Sequence, residues 1–455
     1  MGDRTCPDES IQTGAFLGSQ KATCYRSSNS MRGRSRDVSM TTFDLDDPKL
    51  LFSENVLEDP GPLYDQLRRY APVWRIPGQD SYLVSDPSLI REAVGRTTEF
   101  SSNLVSLLYR DEGGSPTAFD MAPLGDPIHV LAVADPPNHA AHRKLLQPHL
   151  SPEAVRWLDG PIRKFADDAI DPLLAAHGGD VVAGLTNPLP AQVVCRLIGL
   201  PSEDAERLVQ AVWDIGLLLD GVTDGDGMVR AATAALELTE YVQTHLNAAL
   251  AESVDNRHVD GLLGVVVGGI NVGVINADDS LGILMQLIAA GTETTSSLMA
   301  TTIETLARDQ TLQESLRRQP ELIPEMLEDI LRSNGPFQFH YRYTSVDAVL
   351  GGTTIPANSR VLLMWAAANR PAEDQSVSLA VEGDEARRAP HYAFGRGLHF
   401  CIGAPLARLE AKLVIEQLLR RTSRITLDER EEPTGRPSIS LRRHVSLPVR
   451  LLPGA

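Results

Sequence analysis

The stretch from Asn276 to about Arg308 constrains the fold most. Asn276, Asp278 and Asp279 are residue types that start helices. Leu284, Leu287, Ile288, Leu298, Ile303 and Leu306 then recur at helical spacing. A helix this long predicts a mainly α architecture, and the flanking sequence agrees. Pro62–Tyr70 reads as a short helix, and helical segments run from Ser151 to about Glu252, over Glu321–Ser333 and over Ala404–Arg421. Val73–Ile76 and Ser81–Val84, joined through Pro77-Gly78, read as a hairpin. Further short strands are expected near Val361–Trp365 and Val445–Leu451. With no internal repeat and no long Gly/Ser linker, residues 41–455 read as one large, mainly α domain with small β-sheets. Residues 1–40, rich in Ser, Gly, Arg and Thr, read as a disordered tail, and Met31 and Met40 are alternative starts to Met1.

Composition narrows the function classes. The net charge of −18, from 42 basic and 60 acidic side chains, argues against nucleic acid as a partner. Gly261–Ile275 is nearly apolar but too short to span a bilayer as a helix. No apolar signal core opens the chain, so a cytoplasmic protein is expected. The four cysteines, Cys6, Cys24, Cys195 and Cys401, form no CxxC pair. They suggest neither a closed zinc site nor a disulfide framework.

Cys401 stands in FGRGLHFCIGAPLARLE, Phe394–Glu410. Ile402, Leu406, Leu409 and Leu413 mark one helix face, and Pro405 suits a first helical turn. The sulfur therefore precedes a helix N-terminus, whose free N–H groups favour an anion. Gly395, Gly397 and Gly403 let the loop turn tightly. Together these features favour thiolate over thiol. Such a sulfur could be a nucleophile, a metal ligand or a buried structural cysteine.

The stretch resembles the haem-ligand loop of the cytochrome P450 family, Phe-Gly-x-Gly-x-His-x-Cys-x-Gly. Phe394, Gly395, Gly397, His399, Cys401 and Gly403 match every specified position. The resemblance implies haem b, with Cys401 as the axial iron ligand, bound between the long helix and the cysteine-loop helix. Ala290–Thr294 matches the family's (Ala/Gly)-Gly-x-(Asp/Glu)-Thr in the long helix. By resemblance Ala290 and Gly291 line the haem, Gly291 opens a groove for dioxygen, Thr294 hydrogen-bonds the oxygen and Glu293 relays protons from solvent. His139, Arg143, Arg342 and His399 fill the positions that bind haem propionates.

Two departures stand out. The family's Glu-x-x-Arg appears as Asp329-Ile330-Leu331-Arg332, with Glu328 as an alternative partner for Arg332. The segment Pro371–Pro390 has no aromatic residue, and Arg387 or Arg388 is the candidate to complete the core triad. Several stretches look most like an actinobacterial subgroup known from mycobacteria.

The resemblance implies a monooxygenase that takes electrons singly from a separate ferredoxin or flavodoxin type donor with its reductase. A basic patch of Lys144, Arg396 and Arg408 could meet an acidic donor. The expected substrate is a lipophilic small molecule held near Leu104–Ala122, Leu287, Ala290, Phe337 and Phe339, the last two forming an apolar wall. The rival readings are a non-catalytic haem sensor or carrier and a peroxide-driven oxidase.

Overall fold

The computed structural model describes residues 25–26, 42–122, 129–255, 257–370 and 390–454. The expected long helix spans Ala277–Arg308. Asn276 caps it, its side-chain oxygen accepting from the Asp279 N–H at 2.7 Å. Within this helix Thr292, Thr294, Thr302 and Thr305 each donate back to the carbonyl four residues earlier, at 2.7–2.8 Å. That bonding lets a hydroxyl-rich helix run through an apolar interior.

Helices Asp159–Ala175, Pro188–Ile198, Ala205–Ile215, Ile323–Asn334 and Ala404–Arg421 pack with it into one apolar core. A second cluster joins Leu50–Leu67 to Phe339, Leu362 and Met364, and a third lies around Ile90, Phe100, Trp365 and Tyr392.

The largest sheet has five strands, in the order Val73–Arg75, Ser81–Val84, Arg360–Leu363, His340–Thr344 and Phe100–Ser101. Arg360–Leu363 runs parallel to Ser81–Val84, and the other pairings are antiparallel. The expected Val73–Val84 hairpin is thus present, one residue shorter on its first strand. This sheet carries His340 and Arg342 to the edge of the cysteine loop.

Within the segment read as a disordered tail, Tyr25–Arg26 pairs antiparallel with Thr434–Gly435. The rest of that tail, and nearly all of Pro371–Pro390 with Arg387 and Arg388, lies outside the described residues. No helix among the described residues is long and apolar enough to cross a membrane.

Candidate haem site

The cysteine loop is built as its sequence predicts. Gly395 and Gly397 have φ of 69° and 73°, a region glycine enters without strain. The Cys401 N–H donates to the Phe394 carbonyl at 2.9 Å, closing the loop. The helix Ala404–Arg421 starts three residues later, with Gly403 at its N-cap. The N–H groups of Gly403 and Ala404 aim at the sulfur, and the cations Arg143 and Arg408 also favour its anion. Burial outweighs them and raises the Cys401 pKa. Burial thus opposes the thiolate that the N–H groups and the two arginines favour. A coordinated metal cation would supply the missing stabilisation.

His139, Arg143, Arg342 and His399 converge beside this loop. The rings of His139 and His399 lie 4.2 Å apart. Arg143 Nη1 donates to the Phe400 carbonyl at 2.6 Å, and Arg342 Nη1 to the Tyr341 carbonyl at 2.7 Å. Among the described residues no carboxylate bonds Arg342, and burial lowers its pKa to about 10, Asp135 opposing from a distance. Burial, then Arg342 and the neighbouring cations, push His399 down to about 3. Its Nε2 meets Ser102 Oγ at 2.9 Å, while its buried Nδ1 has no partner.

Sequence reading missed His340, half-buried, which accepts from Trp365 Nε1 at 2.6 Å and is lowered to about 4 by burial. Such a cation-rich, carboxylate-poor cluster with an orphaned ring nitrogen has the chemistry to receive two carboxylates, as a haem presents.

Across the long helix the residues diverge. Ala290 is exposed and Leu287 half-buried. Thr294 Oγ1 donates to the Ala290 carbonyl at 2.7 Å. At Gly291 a Cβ would meet Val194 Cγ2 at 2.7 Å, so the glycine admits the neighbouring helix Pro188–Ile198. Glu293 is enclosed. It is 6% exposed, covered by Gly216, and its Oε1 lies 2.8 Å from Arg443 Nη1. Burial raises its pKa to about 7, with Arg443 opposing and Asp220 assisting. Adjacent helical residues point about 100° apart, so Glu293 and Thr294 face different surroundings.

Phe339 is also corrected. It is 2% exposed and meets the Tyr341 ring edge-on at 5.2 Å inside the second core cluster, so it is core, not pocket wall. Phe337 stays half-buried against His340, their rings 4.8 Å apart. The segment Leu104–Ala122 forms a hairpin of Ser106–Arg110 and Pro116–Asp120.

On the proximal side Arg332 pairs with Asp329, Nη1 to Oδ1 at 2.5 Å. Glu328 turns elsewhere, to Arg408 Nε and Nη2 at 2.6 and 2.8 Å and to His391 Nε2 at 2.9 Å. Arg408 also lies over the Phe394 ring at 4.5 Å, so it is engaged rather than a free docking charge; Lys144 and Arg396 are exposed.

A mainly helical fold with a glycine-turned cysteine loop at a helix N-terminus, arginines and histidines beside it, fits the haem-thiolate class. The Cytochrome P450 family model matches residues 378–444. Cytochrome P450 144 of Mycobacterium tuberculosis is 36% identical over 87% of this chain and 90% of its own length. Cytochrome P450 monooxygenase PikC of Streptomyces venezuelae is 31% identical over 86% and 91%. The crystal structure of CYP109E1 from Bacillus megaterium in complex with testosterone superimposes with a TM-score of 0.73 at 26% identity, covering 88% of this chain and 99% of that one. The chain belongs to the cytochrome P450 family, is a bacterial monooxygenase of that family related to mycobacterial members, and takes haem b as its cofactor.

Proposed function

We propose that Cys401 ligates the haem iron and that Arg143, Arg342, His139 and His399 hold the propionates. The protein would then use dioxygen to oxidise a lipophilic small molecule. When bound, the haem supplies dioxygen activation at its iron. The chain's own residues do the rest. The N–H groups of Gly403 and Ala404 stabilise the sulfur anion and so tune the iron potential. Phe394, Gly395, Ala290 and Gly291 shape the two faces, with Gly291 acting through helix packing. Thr294 would turn its hydroxyl from the Ala290 carbonyl to donate a hydrogen bond toward oxygen, and Glu293 is the nearby carboxyl able to hold a proton near neutral pH.

Leu287, Ala290 and Phe337 would present an apolar surface to substrate. A relative named erythromycin C-12 hydroxylase, and a similar structure solved with testosterone, favour a bulky lipophilic ligand. Electrons would come from a ferredoxin or flavodoxin type donor with its reductase, in the cytoplasm.

The observation that carries this reading is the group Arg143, Arg342, His139 and His399 beside Cys401, in which no carboxylate bonds the buried Arg342 among the described residues. The test is the absorption of the reduced, carbon-monoxide-bound protein. A strongly red-shifted Soret band supports thiolate ligation by Cys401; a band at the histidine-ligated position rejects it.

A further inference from the structure

The surroundings of Glu293 hold a charge cluster that sequence motifs do not mark. The loop from Arg436 to Arg443 wedges between the long helix and the short helix Leu217–Asp220. Ser297, one turn beyond Glu293, donates to the Arg442 carbonyl. The Ile439 N–H donates to the Asp220 carbonyl at 3.1 Å, and Ser440 Oγ to the Leu219 carbonyl at 2.6 Å. These bonds fix Arg443 between two acids. Arg443 Nη2 reaches Asp220 Oδ1 at 2.8 Å and Oδ2 at 2.7 Å. Its Nη1 lies 2.8 Å from Glu293 Oε1, but neither atom is in hydrogen-bond alignment with any partner. The side chains of Arg443 and Asp220 are each 1% exposed.

We propose that Arg443 is a positioning residue for Glu293, and that Asp220 holds it so that it cannot form an aligned ion pair with Glu293. Glu293 then keeps the freedom to take up and release a proton. This deepens the reading of Glu293 as proton donor and rests on it.

The argument is competition. A guanidinium bonds a carboxylate best when its N–H groups are aimed at it, and Asp220 draws Nη2 to both of its oxygens and so sets the direction of the whole group. Glu293 is left beside a cation with poor geometry, in a site that excludes water. Burial alone would keep it protonated, and an aligned Arg443 alone would keep it ionised. The other groups facing it are few. Arg436 lies 3.8 Å from Asp220 and stacks over Trp213 at 4.8 Å, with Asp214 acting on it from the neighbouring helix. Gly216 lies directly over the carboxylate and brings no charge. His444, next to Arg443, is turned to Glu304 at 2.8 Å.

The test follows protonation of Glu293 in the holoenzyme by infrared pH titration, with the carboxyl band assigned by its loss in Glu293→Gln. In Asp220→Asn the competing charge is gone, and the Glu293 midpoint should fall by about one pH unit or more. In Arg443→Met it should rise by about as much, and Arg443→Lys should restore it toward wild type. Should Arg443→Met fold poorly, Asp220→Asn with Arg443→Met removes both buried charges and should also give a raised midpoint. An Asp220→Asn midpoint equal to or above wild type overturns the proposal.

A separate readout, the division of consumed dioxygen between peroxide and water, tests the underlying role of Glu293. If Glu293→Gln leaves that division unchanged, the donor reading fails while the midpoints still decide the positioning claim.

Discussion

Asp329 and Arg332 form an i,i+3 pair at 2.5 Å on the helix Ile323–Asn334, while Glu328, one residue earlier, faces Arg408 and His391. The shortened acid still reaches its arginine because three residues nearly complete a helical turn. Removing one partner of a buried pair typically costs about 3 kcal/mol or more. Asp329→Ala should therefore lower thermal stability and haem incorporation together. Glu328→Ala removes a one-third-exposed group and should cost about 1 kcal/mol, with haem content near wild type. Haem occupancy of the purified variants separates the two.

Arg342 tests the cationic cluster by setting stability against function. Its burial is unfavourable while no carboxylate among the described residues bonds it, and that burial lowers its pKa to about 10. Arg342→Met should leave the haem-free form as stable as wild type or about 1 kcal/mol more stable. The same change should weaken haem binding at least tenfold. Haem titration and thermal melts of the haem-free protein measure the two signs, and equal haem affinity would contradict propionate binding by Arg342.

Gly291 is set by packing. Alanine there should gain up to about 1 kcal/mol of helix propensity but drives a methyl against Val194 Cγ2. Val194 is β-branched and buried, so its side chain has little room to turn. Gly291→Ala should be net destabilising by about 1 kcal/mol. Adding Val194→Ala should relieve most of the clash, a coupling that denaturant unfolding of the double-mutant cycle can read.

What was legible in the sequence was local. Asn276 with its following leucines announced the long helix, and Phe394 to Gly403 announced a loop whose glycines and N–H donors act within ten residues. What was not legible depends on distant chain segments. Arg443 meets Glu293 only because a C-terminal loop threads back over the long helix. His340 lies under Trp365 through sheet pairing. Phe339 was misplaced because the residues that bury it, Leu50 to Phe52 among them, lie nearly three hundred positions away.

Cys401→His separates haem retention from oxygen chemistry. Imidazole can occupy an axial position but lacks the electron donation of a thiolate. The variant should bind haem at near wild-type content, lose the red-shifted carbon-monoxide band and retain under about 1% of monooxygenase activity, a loss worth about 3 kcal/mol in the barrier. Activity above a tenth of wild type would remove Cys401 from the role of ligand.

The acid limb of stability should report Glu304. Burial pushes this carboxyl up, but bonds from His444 and Arg308 outweigh it and hold it at about 2, below its ordinary 4.5. Since the folded value is the lower one, the pair stabilises the fold fully above about pH 4.5 and loses that contribution as pH falls toward about 2. Glu304→Gln removes the charge at every pH. It should cost on the order of 2 kcal/mol at pH 7 and progressively less below pH 4.5, so that the variant and wild-type stability curves converge near pH 2. Urea unfolding at stepped pH measures this, and parallel curves down to pH 2 would show that the Glu304 pairing contributes nothing net.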